Sequence, residues 1–90
     1  MSETIGTIRL AYGMTVRTLR GRIGLAQEKL ALESGVDRAY MSGLERGMHN
    51  PTLYTVLRFL PYLGVTFPQF AVEFNKSLRR TRRELKKNGI

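Results

Sequence analysis

The sequence predicts an all-α fold of five helices in a single domain. Its 90 residues are enough for one domain, and a hydrophobic share of 42% can supply one modest core. Apolar residues recur with helical spacing along most of the chain, and no segment shows the period-two alternation of a half-buried strand. Glycines and prolines divide this pattern into five helical segments.

The first segment predicts a helix that begins near Ile5 and is closed by Gly24. Gly24 is placed to take the left-handed conformation that commonly ends a helix. Gly13 is a candidate break that would divide the segment in two. The apolar side chains expected on the inner face of this helix are Ile5, Ile8, Tyr12, Val16, Leu19 and Ile23.

The middle of the chain predicts two short helices joined by a tight turn. A helix over 27–34 is closed by Gly35, and a second helix over 38–46 follows Asp37, a good N-cap residue. Gly35 supplies a left-handed backbone at low cost, and Val36 fills the space between the helices. This arrangement is a helix-turn-helix, in which the first helix braces the second and the second can lie in a major groove.

The last two predicted helices each begin at a capping threonine. Thr52 caps the fourth helix, and Pro61 within that helix predicts a kink or an early end. Thr66 and Gln69 form a capping box that opens an amphipathic, basic fifth helix over 67–88. The apolar face expected on the fourth helix consists of Leu53, Val56, Leu57, Leu60 and Leu63.

An ordered set of short motifs resembles the phage repressor/Cro-type (XRE-like) helix-turn-helix family. The motifs are LAQEKLA at 25–31, SGV at 34–36, YMS at 40–42, LERG at 44–47, NPTL at 50–53 and LGV at 63–65. The resemblance covers about residues 16–66. It implies a compact, lambda-repressor-like five-helix bundle that binds double-stranded DNA, usually as a homodimer on a pseudo-palindromic operator.

The resemblance also implies roles for individual residues. Arg20 and Glu45 match a structural ion pair between the first and third helices. The positions expected to face base edges are Arg38, Ala39, Ser42 and Gly43, to which we add Tyr40. The positions expected near DNA phosphates are Gln27, Arg46 and Asn50, to which we add His49 and Thr52 from the same loop.

The side chains of the second short helix have the chemistry needed to contact DNA bases. Arg38 carries a planar guanidinium that can bind guanine O6 and N7 together. Tyr40 either reaches a phosphate or a thymine methyl, or packs against the following loop. Ser42 either bonds to DNA or is a solvated surface residue. Gly43 has no side chain with which to read a base, so we expect it to provide close approach or room for a neighbour.

The net charge of +8 is concentrated at the C-terminus. Residues 76–90 contain seven Lys or Arg and one acidic residue, whereas residues 1–75 contain eight and six. Such a basic segment favours a polyanionic partner, most commonly nucleic acid. The alternatives are a solvated helix end or an acidic membrane surface, although the tail has few apolar residues to insert.

The sequence argues against several other classes of protein. The absence of cysteine excludes disulfides, thiolate zinc sites and a cysteine nucleophile. His49 is the only histidine and has no acidic or nucleophilic residue at an informative spacing, so we expect no enzyme activity, metal or cofactor. No apolar run reaches the roughly 18 residues of a membrane span and no signal peptide is evident, so we expect a cytoplasmic protein.

An apolar stripe on the fifth helix has two interpretations. Its side chains either complete the core of the same chain or form the seam of a dimer. The residues of this stripe are Phe67, Phe70, Phe74 and Leu78.

The leading hypothesis is a sequence-specific transcriptional regulator, a small dimeric repressor that reads the major groove with the helix 38–46. An alternative is an antitoxin-like or adaptor protein that binds a protein partner, such as a toxin, through its C-terminal helix. A third is an RNA-binding basic protein.

Overall fold

The computed structural model describes residues 4–87, and this part of the chain forms five α-helices and no strand. The helices are α1 (Ile5–Arg22), α2 (Gln27–Ser34), α3 (Arg38–Glu45), α4 (Leu53–Leu63) and α5 (Phe67–Lys87). The prediction of an all-α, five-helix fold is confirmed. α3 ends one residue before its predicted bound because Arg46 is the C-cap. Asn88, the last residue of the predicted fifth helix, lies outside the described residues.

α1 runs without interruption through Gly13, so the chain does not break there. Gly13 is buried where α1 packs against the end of α3. A Cβ atom at this position would lie 2.6 Å from the carbonyl oxygen of Leu44 and 2.8 Å from that of Glu45, closer than real Cβ atoms approach. The absence of a side chain therefore lets the two helices come into close contact.

The buried face of α1 is smaller and more polar than the sequence predicts. Ile5 and Ile23, at its two ends, are exposed and do not belong to the core. The buried Thr15 hydroxyl donates to the carbonyl of Ala11 at 2.7 Å and lies 2.8 Å from the Ser77 hydroxyl of α5. Small side chains along this contact let α5 pack closely against α1.

The predicted helix caps are present. Asp37 and Thr52 each accept a hydrogen bond at 3.1 Å from the backbone N–H three residues later. Thr66 and Gln69 form the reciprocal capping box, with distances of 2.9 and 3.3 Å. Ala26 begins α2 without a side-chain cap, as its methyl group requires.

α4 does not end at Pro61 but continues for two further residues and stops at Gly64. Phe59 is fully buried at its centre, although the predicted apolar face omitted this residue. Leu53 and Leu57, which that face included, are exposed. The buried side of α4 is therefore rotated from the predicted one, and an apolar edge of the helix remains in solvent.

The hydrophobic core draws side chains from all five helices. Its buried members are Val16, Leu19, Leu30, Ala31, Met41, Leu44, Val56, Phe59, Leu60, Leu63 and Phe70. Met41 and Leu44 are fully buried, so α3 is fixed to the bundle along one face. None of the five helices over residues 4–87 has the length and apolar character needed to cross a membrane.

Candidate nucleic-acid interface

The turn between α2 and α3 is short and tightly held. Gly35 has φ 71°, in the left-handed region that favours glycine, and the N–H of Val36 donates to the carbonyl of Ala31 at 3.0 Å. The guanidinium of Arg58, on α4, donates to the carbonyl of Ser34 at 2.6 Å. A Cβ on residue 35 would lie 2.6 Å from that guanidinium. Sequence patterns could not identify Arg58, because its contact joins helices that are distant in the chain.

α3 presents one face to the core and the opposite face to solvent. Met41 and Leu44 lie on the inner face. On the outer side, Arg38 and Ala39 are exposed and Ser42 is half-buried. The structure therefore brings three of the predicted base-contact residues together on one open surface.

Arg38 extends from the first turn of α3 into solvent, with its side chain 68% exposed. Its nearest acidic partner is Glu28 of α2, at 4.0 Å between Nη1 and Oε1. Both side chains are exposed, so this ion pair contributes little to stability. The guanidinium is consequently free to exchange Glu28 for a stronger partner.

A partly buried polar network joins α1, α2 and α3. The Arg20 Nε and Nη2 atoms donate to the two carboxylate oxygens of Glu45 at 2.6 and 2.7 Å, which is the predicted ion pair. Arg20 also donates to the carbonyl of Leu25 at 2.7 Å. The side-chain hydrogen bonds to Glu45 raise the pKa of Arg20, so this guanidinium stays charged.

Gln27, predicted to contact phosphate, belongs to this network instead of projecting freely. Its Nε2 atom donates to Glu45 Oε1 at 3.0 Å. The amide keeps a second N–H, which is a donor that a phosphate oxygen can accept from. Through this hydrogen bond Gln27 helps to hold Glu45 in place, a contact that the sequence pattern does not reveal.

The other predicted phosphate-contact residues follow α3. Arg46 is exposed at the C-cap, where its Nε atom donates to the carbonyl of Ser42 at 3.3 Å. Asn50 is exposed in the loop. The Thr52 hydroxyl already accepts the capping hydrogen bond of α4. The Arg46 and Asn50 side chains are therefore the better placed of these three to reach a phosphate.

His49 folds back over α3 instead of projecting from the loop. Its imidazole stacks on the Tyr40 ring, with centroids 4.6 Å apart and planes 7° from parallel. Tyr40 thus packs against the loop, the second of its two predicted roles, and burial raises its pKa. A Cβ on Gly43 would lie 2.6 Å from the Nε2 atom of His49. Gly43 accordingly provides room for a neighbour.

Two short helices, a tight glycine turn and an outward face on the second helix together define a helix-turn-helix. Residues 11–71, more than half of the chain, match the family described as "Helix-turn-helix domain". The chain belongs to this family. Its resemblance to the XRE-like regulators, first seen in the sequence motifs, is therefore confirmed.

Relatives of this helix-turn-helix protein include proteins described as transcriptional regulators and control proteins. It is 39% identical over 59 residues to the uncharacterized HTH-type transcriptional regulator y4dJ of Sinorhizobium fredii, covering 66% of this chain and 77% of the relative. It is 41% identical over 59 residues to the control protein C.BamHI of Bacillus amyloliquefaciens, covering 64% and 73%.

The solved structure of a restriction–modification controller protein is similar in fold to this chain. The restriction–modification controller protein C.Esp1396I, determined as a tetramer in complex with its natural 35 base-pair operator, superposes with a TM-score of 0.72. The two are 28% identical, and the match covers 79% of this chain and 93% of the controller.

The apolar stripe of the fifth helix is divided between the two interpretations given to it. Phe70 is only 3% exposed, so it belongs to the core of the same chain, and the dimer-seam interpretation is wrong for this residue. Phe74 packs on Tyr12, with ring centroids 4.6 Å apart. Leu78 is half-buried, and Phe67 is 46% exposed. Of the four, Phe67 offers the most surface to a partner.

An apolar groove opens where α1, α4 and α5 meet. Its volume is about 160 Å³, and its lining includes Tyr12, Leu53, Phe67, Ala71 and Phe74. Leu53 and Phe67 face solvent at its rim. The groove joins the apolar stripe of α5 to Leu53 of α4, a connection that the sequence pattern does not reveal.

α5 changes character along its length. Near its start, Glu73 accepts from Arg22 at 2.8 Å and from Lys76 at 3.4 Å. The hydrogen bond to Arg22 lowers the pKa of Glu73, and the same contact raises the pKa of Arg22. Beyond this cluster the helix carries the basic segment on its exposed side, at Arg79, Arg80, Arg82, Arg83, Lys86 and Lys87.

Within residues 4–87, no three His, Cys, Asp or Glu side chains come together in a group that could hold a metal ion.

Proposed function

We propose that this protein is a sequence-specific DNA-binding regulator of transcription that places α3 in the major groove. The observation that carries the proposal is the division of α3 into two faces. Met41 and Leu44 lock the inner face into the core, while Arg38 stands 68% exposed on the outer one. Helix-turn-helix proteins contact base edges with the N-terminal residues of the second helix, which is where Arg38 lies.

Affinity would come from contacts with phosphates. Arg46 and Asn50 are exposed beside α3, and the basic segment of α5 adds positive charge. Each neutralised phosphate releases counterions, so the affinity should fall steeply with salt. These contacts carry no sequence information, and specificity rests on the residues of α3.

We further propose that the protein acts as a homodimer on a pseudo-palindromic operator. The exposed Leu53 and Phe67 at the rim of the apolar groove give a surface that a second copy can cover. Two recognition helices related by a two-fold axis then read two half-sites about one helical turn apart. The C.Esp1396I controller was determined as a tetramer on its operator, which supports assembly on DNA.

A protein partner covering the same groove, as in the antitoxin-like alternative, is the second candidate function. Sedimentation of the purified protein distinguishes the two. A dimer that is converted to monomer by Phe67→Ser favours self-association. A monomer at high micromolar concentration favours a different partner on the exposed apolar rim.

The central experiment is selection of bound sequences from random duplex DNA, using two arginine variants as a matched pair. Arg38→Ala should lose the preference for one base pair in each half-site, which corresponds to about 1–3 kcal/mol of discrimination between the right and the wrong base. Arg46→Ala should weaken binding to all duplexes alike. It should also reduce by about one the salt slope, which is the steepness with which the logarithm of the binding constant falls with the logarithm of the salt concentration. Recovery of no sequence preference by the wild type would overturn the proposed function.

The contribution of α5 is best tested by substitution. Ser77 and Thr81 are buried against the bundle, so deleting this half of α5 would disturb the fold. Replacing the exposed Arg79, Arg80 and Arg83 by glutamine removes charge and leaves the packing in place. The salt slope should flatten by about 0.9 for each phosphate that the variant no longer neutralises. An unchanged slope would exclude α5 from the interface.

A further inference from the structure

Gly43 is buried although it lies on the outer side of α3. At 3.6 residues per turn, position 43 is directed nearly opposite the mean direction of Met41, Leu44 and Glu45, which face the core. A glycine in that direction would ordinarily be open to solvent. It is covered because the loop after α3 turns back and lays His49 over it.

Two contacts fix His49 in this place. The N–H of Met48 donates to the carbonyl of Gly43 at 2.9 Å, which holds the start of the loop against the helix. The imidazole then stacks on Tyr40 with a centroid separation of 4.6 Å. An ideal Cβ on residue 43 would lie 2.6 Å from Nε2 and 3.0 Å from Cδ2 of His49, so the ring occupies the volume of the missing side chain.

We propose that His49 is a base-reading residue, whose imidazole takes the place of a side chain at position 43 and donates a hydrogen bond to a purine N7 in the major groove. This inference rests on the proposed function, because it requires α3 to lie in that groove. It reassigns His49 from the phosphate contacts to the specificity-determining surface.

The chemistry of the ring suits this role. Neither ring nitrogen of His49 makes a hydrogen bond within residues 4–87, where the imidazole stacks on the Tyr40 ring. The edge of the ring that carries Nε2 faces Gly43. Nδ1 belongs to the edge that is farther from Gly43. A histidine nitrogen that carries a proton is a donor, and both guanine and adenine present N7 as an acceptor in the major groove. Cytosine presents a donor in the major groove, and the thymine acceptor O4 lies beside the C5-methyl group and not at the N7 position, so a contact made at N7 selects a purine.

Gly43 is then a positioning residue for the reading group. The atoms that a new Cβ would meet belong to the far end of a side chain and not to backbone. Gly43→Ala should therefore fold normally and displace the imidazole from the surface of α3. The variant should read DNA as though His49 were absent.

Selection from random duplex DNA tests the inference with four proteins beside the wild type. His49→Ala and Gly43→Ala should lose the same purine preference, about five- to tenfold at one base pair per half-site. The double variant should match His49→Ala, since Gly43 acts only through the imidazole. Asn50→Ala, the loop control, should keep every base preference of the wild type and bind all duplexes more weakly.

Three results would overturn the inference. If His49→Ala weakens all sequences equally, the imidazole contacts phosphate and reads nothing. If Gly43→Ala keeps the purine preference that His49→Ala loses, the ring does not depend on the space at residue 43. If the wild type itself shows no base preference, the proposed function fails, and the inference fails with it.

An NMR measurement on the free protein separates the structural part from DNA recognition. His49 is the only histidine in the sequence, so its ring proton signals are unambiguous. Stacking on Tyr40 should shift them upfield, and both Tyr40→Ala and Gly43→Ala should return them towards unfolded-chain values. Wild-type signals at unfolded-chain positions would refute the stacked arrangement.

Discussion

Gly13→Ala should force α1 and α3 apart at their point of closest approach. The added carbon would lie 2.6 and 2.8 Å from two backbone oxygens, whereas ordinary contact begins near 3.4 Å. Because backbone cannot swing aside as a side chain does, the helices themselves must shift. Overpacking of this kind costs about 1–3 kcal/mol. Alanine in place of glycine in a helix recovers about 1 kcal/mol, so the net loss in the free energy of unfolding is about 0–2 kcal/mol.

Gly21→Ala is the matched control for that substitution. Gly21 lies in the same helix, and a Cβ there would meet nothing within 4 Å. This variant should gain up to about 1 kcal/mol from helix propensity alone. The propensity gain at Gly21, in the last turn of α1, is at most that at Gly13, so the difference between the two variants is a lower bound on the packing cost of about 1–3 kcal/mol.

Urea denaturation followed by circular dichroism measures both free energies, provided that the dependence on urea stays the same. Gly13→Ala should unfold at a clearly lower urea concentration than Gly21→Ala. Equal stabilisation by the two alanines would show that α1 and α3 do not approach as closely as the structure indicates, and the reason given for a glycine at position 13 would be lost.

Three other contacts can be tested through stability. Arg20→Lys keeps the charge but not the two-pronged geometry toward Glu45, and in urea it should cost about 1–3 kcal/mol; no loss would contradict the importance of that geometry. The hydrogen bond from Arg22 holds the pKa of Glu73 below its ordinary 4.5, so the stabilisation of the fold by this pair is complete above pH 4.5 and is lost as the pH falls towards the folded-state pKa. Glu73→Gln should therefore remove this part of the loss of stability in acid. An unchanged dependence of the unfolding free energy on pH would argue against the pair. Thr81→Val should raise the unfolding free energy by about 1 kcal/mol, because the buried Thr81 hydroxyl has no hydrogen-bond partner among residues 4–87. A lower melting temperature of the variant would count against this account.

The sequence predicts best where a local rule decides the structure. Asp37, Thr52 and Thr66 cap helices because a short polar side chain can accept from a backbone N–H one turn later. The Arg20–Glu45 pair joins distant elements, and only the family resemblance identified it. The same resemblance brought Arg38 and Ala39 to the outer face of α3, where the structure places them.

The sequence predicts the structure less well where contacts between distant parts of the chain determine it. Gly13 looks like a helix breaker in the sequence, because nothing local shows that another helix crosses it. Phe59 was missed because the apolar residues of α4 surround the helix, and periodicity alone could not say which side faces the core. The stacking of His49 on Tyr40 depends on the path of a loop, which no helical period encodes.

The shortness of α3 has a consequence for how this protein can change. A helix of eight residues is not stable by itself in water, so its shape is supplied by Met41, Leu44 and Glu45 on the inner side. Arg38 and Ala39 on the outer side are exposed and contribute little to that shape. Substitutions at Arg38 or Ala39 can therefore accumulate without unfolding the protein, and a lineage could acquire a new target while inheriting an unchanged interior. Damage to the inner side, by contrast, would remove recognition and the fold together.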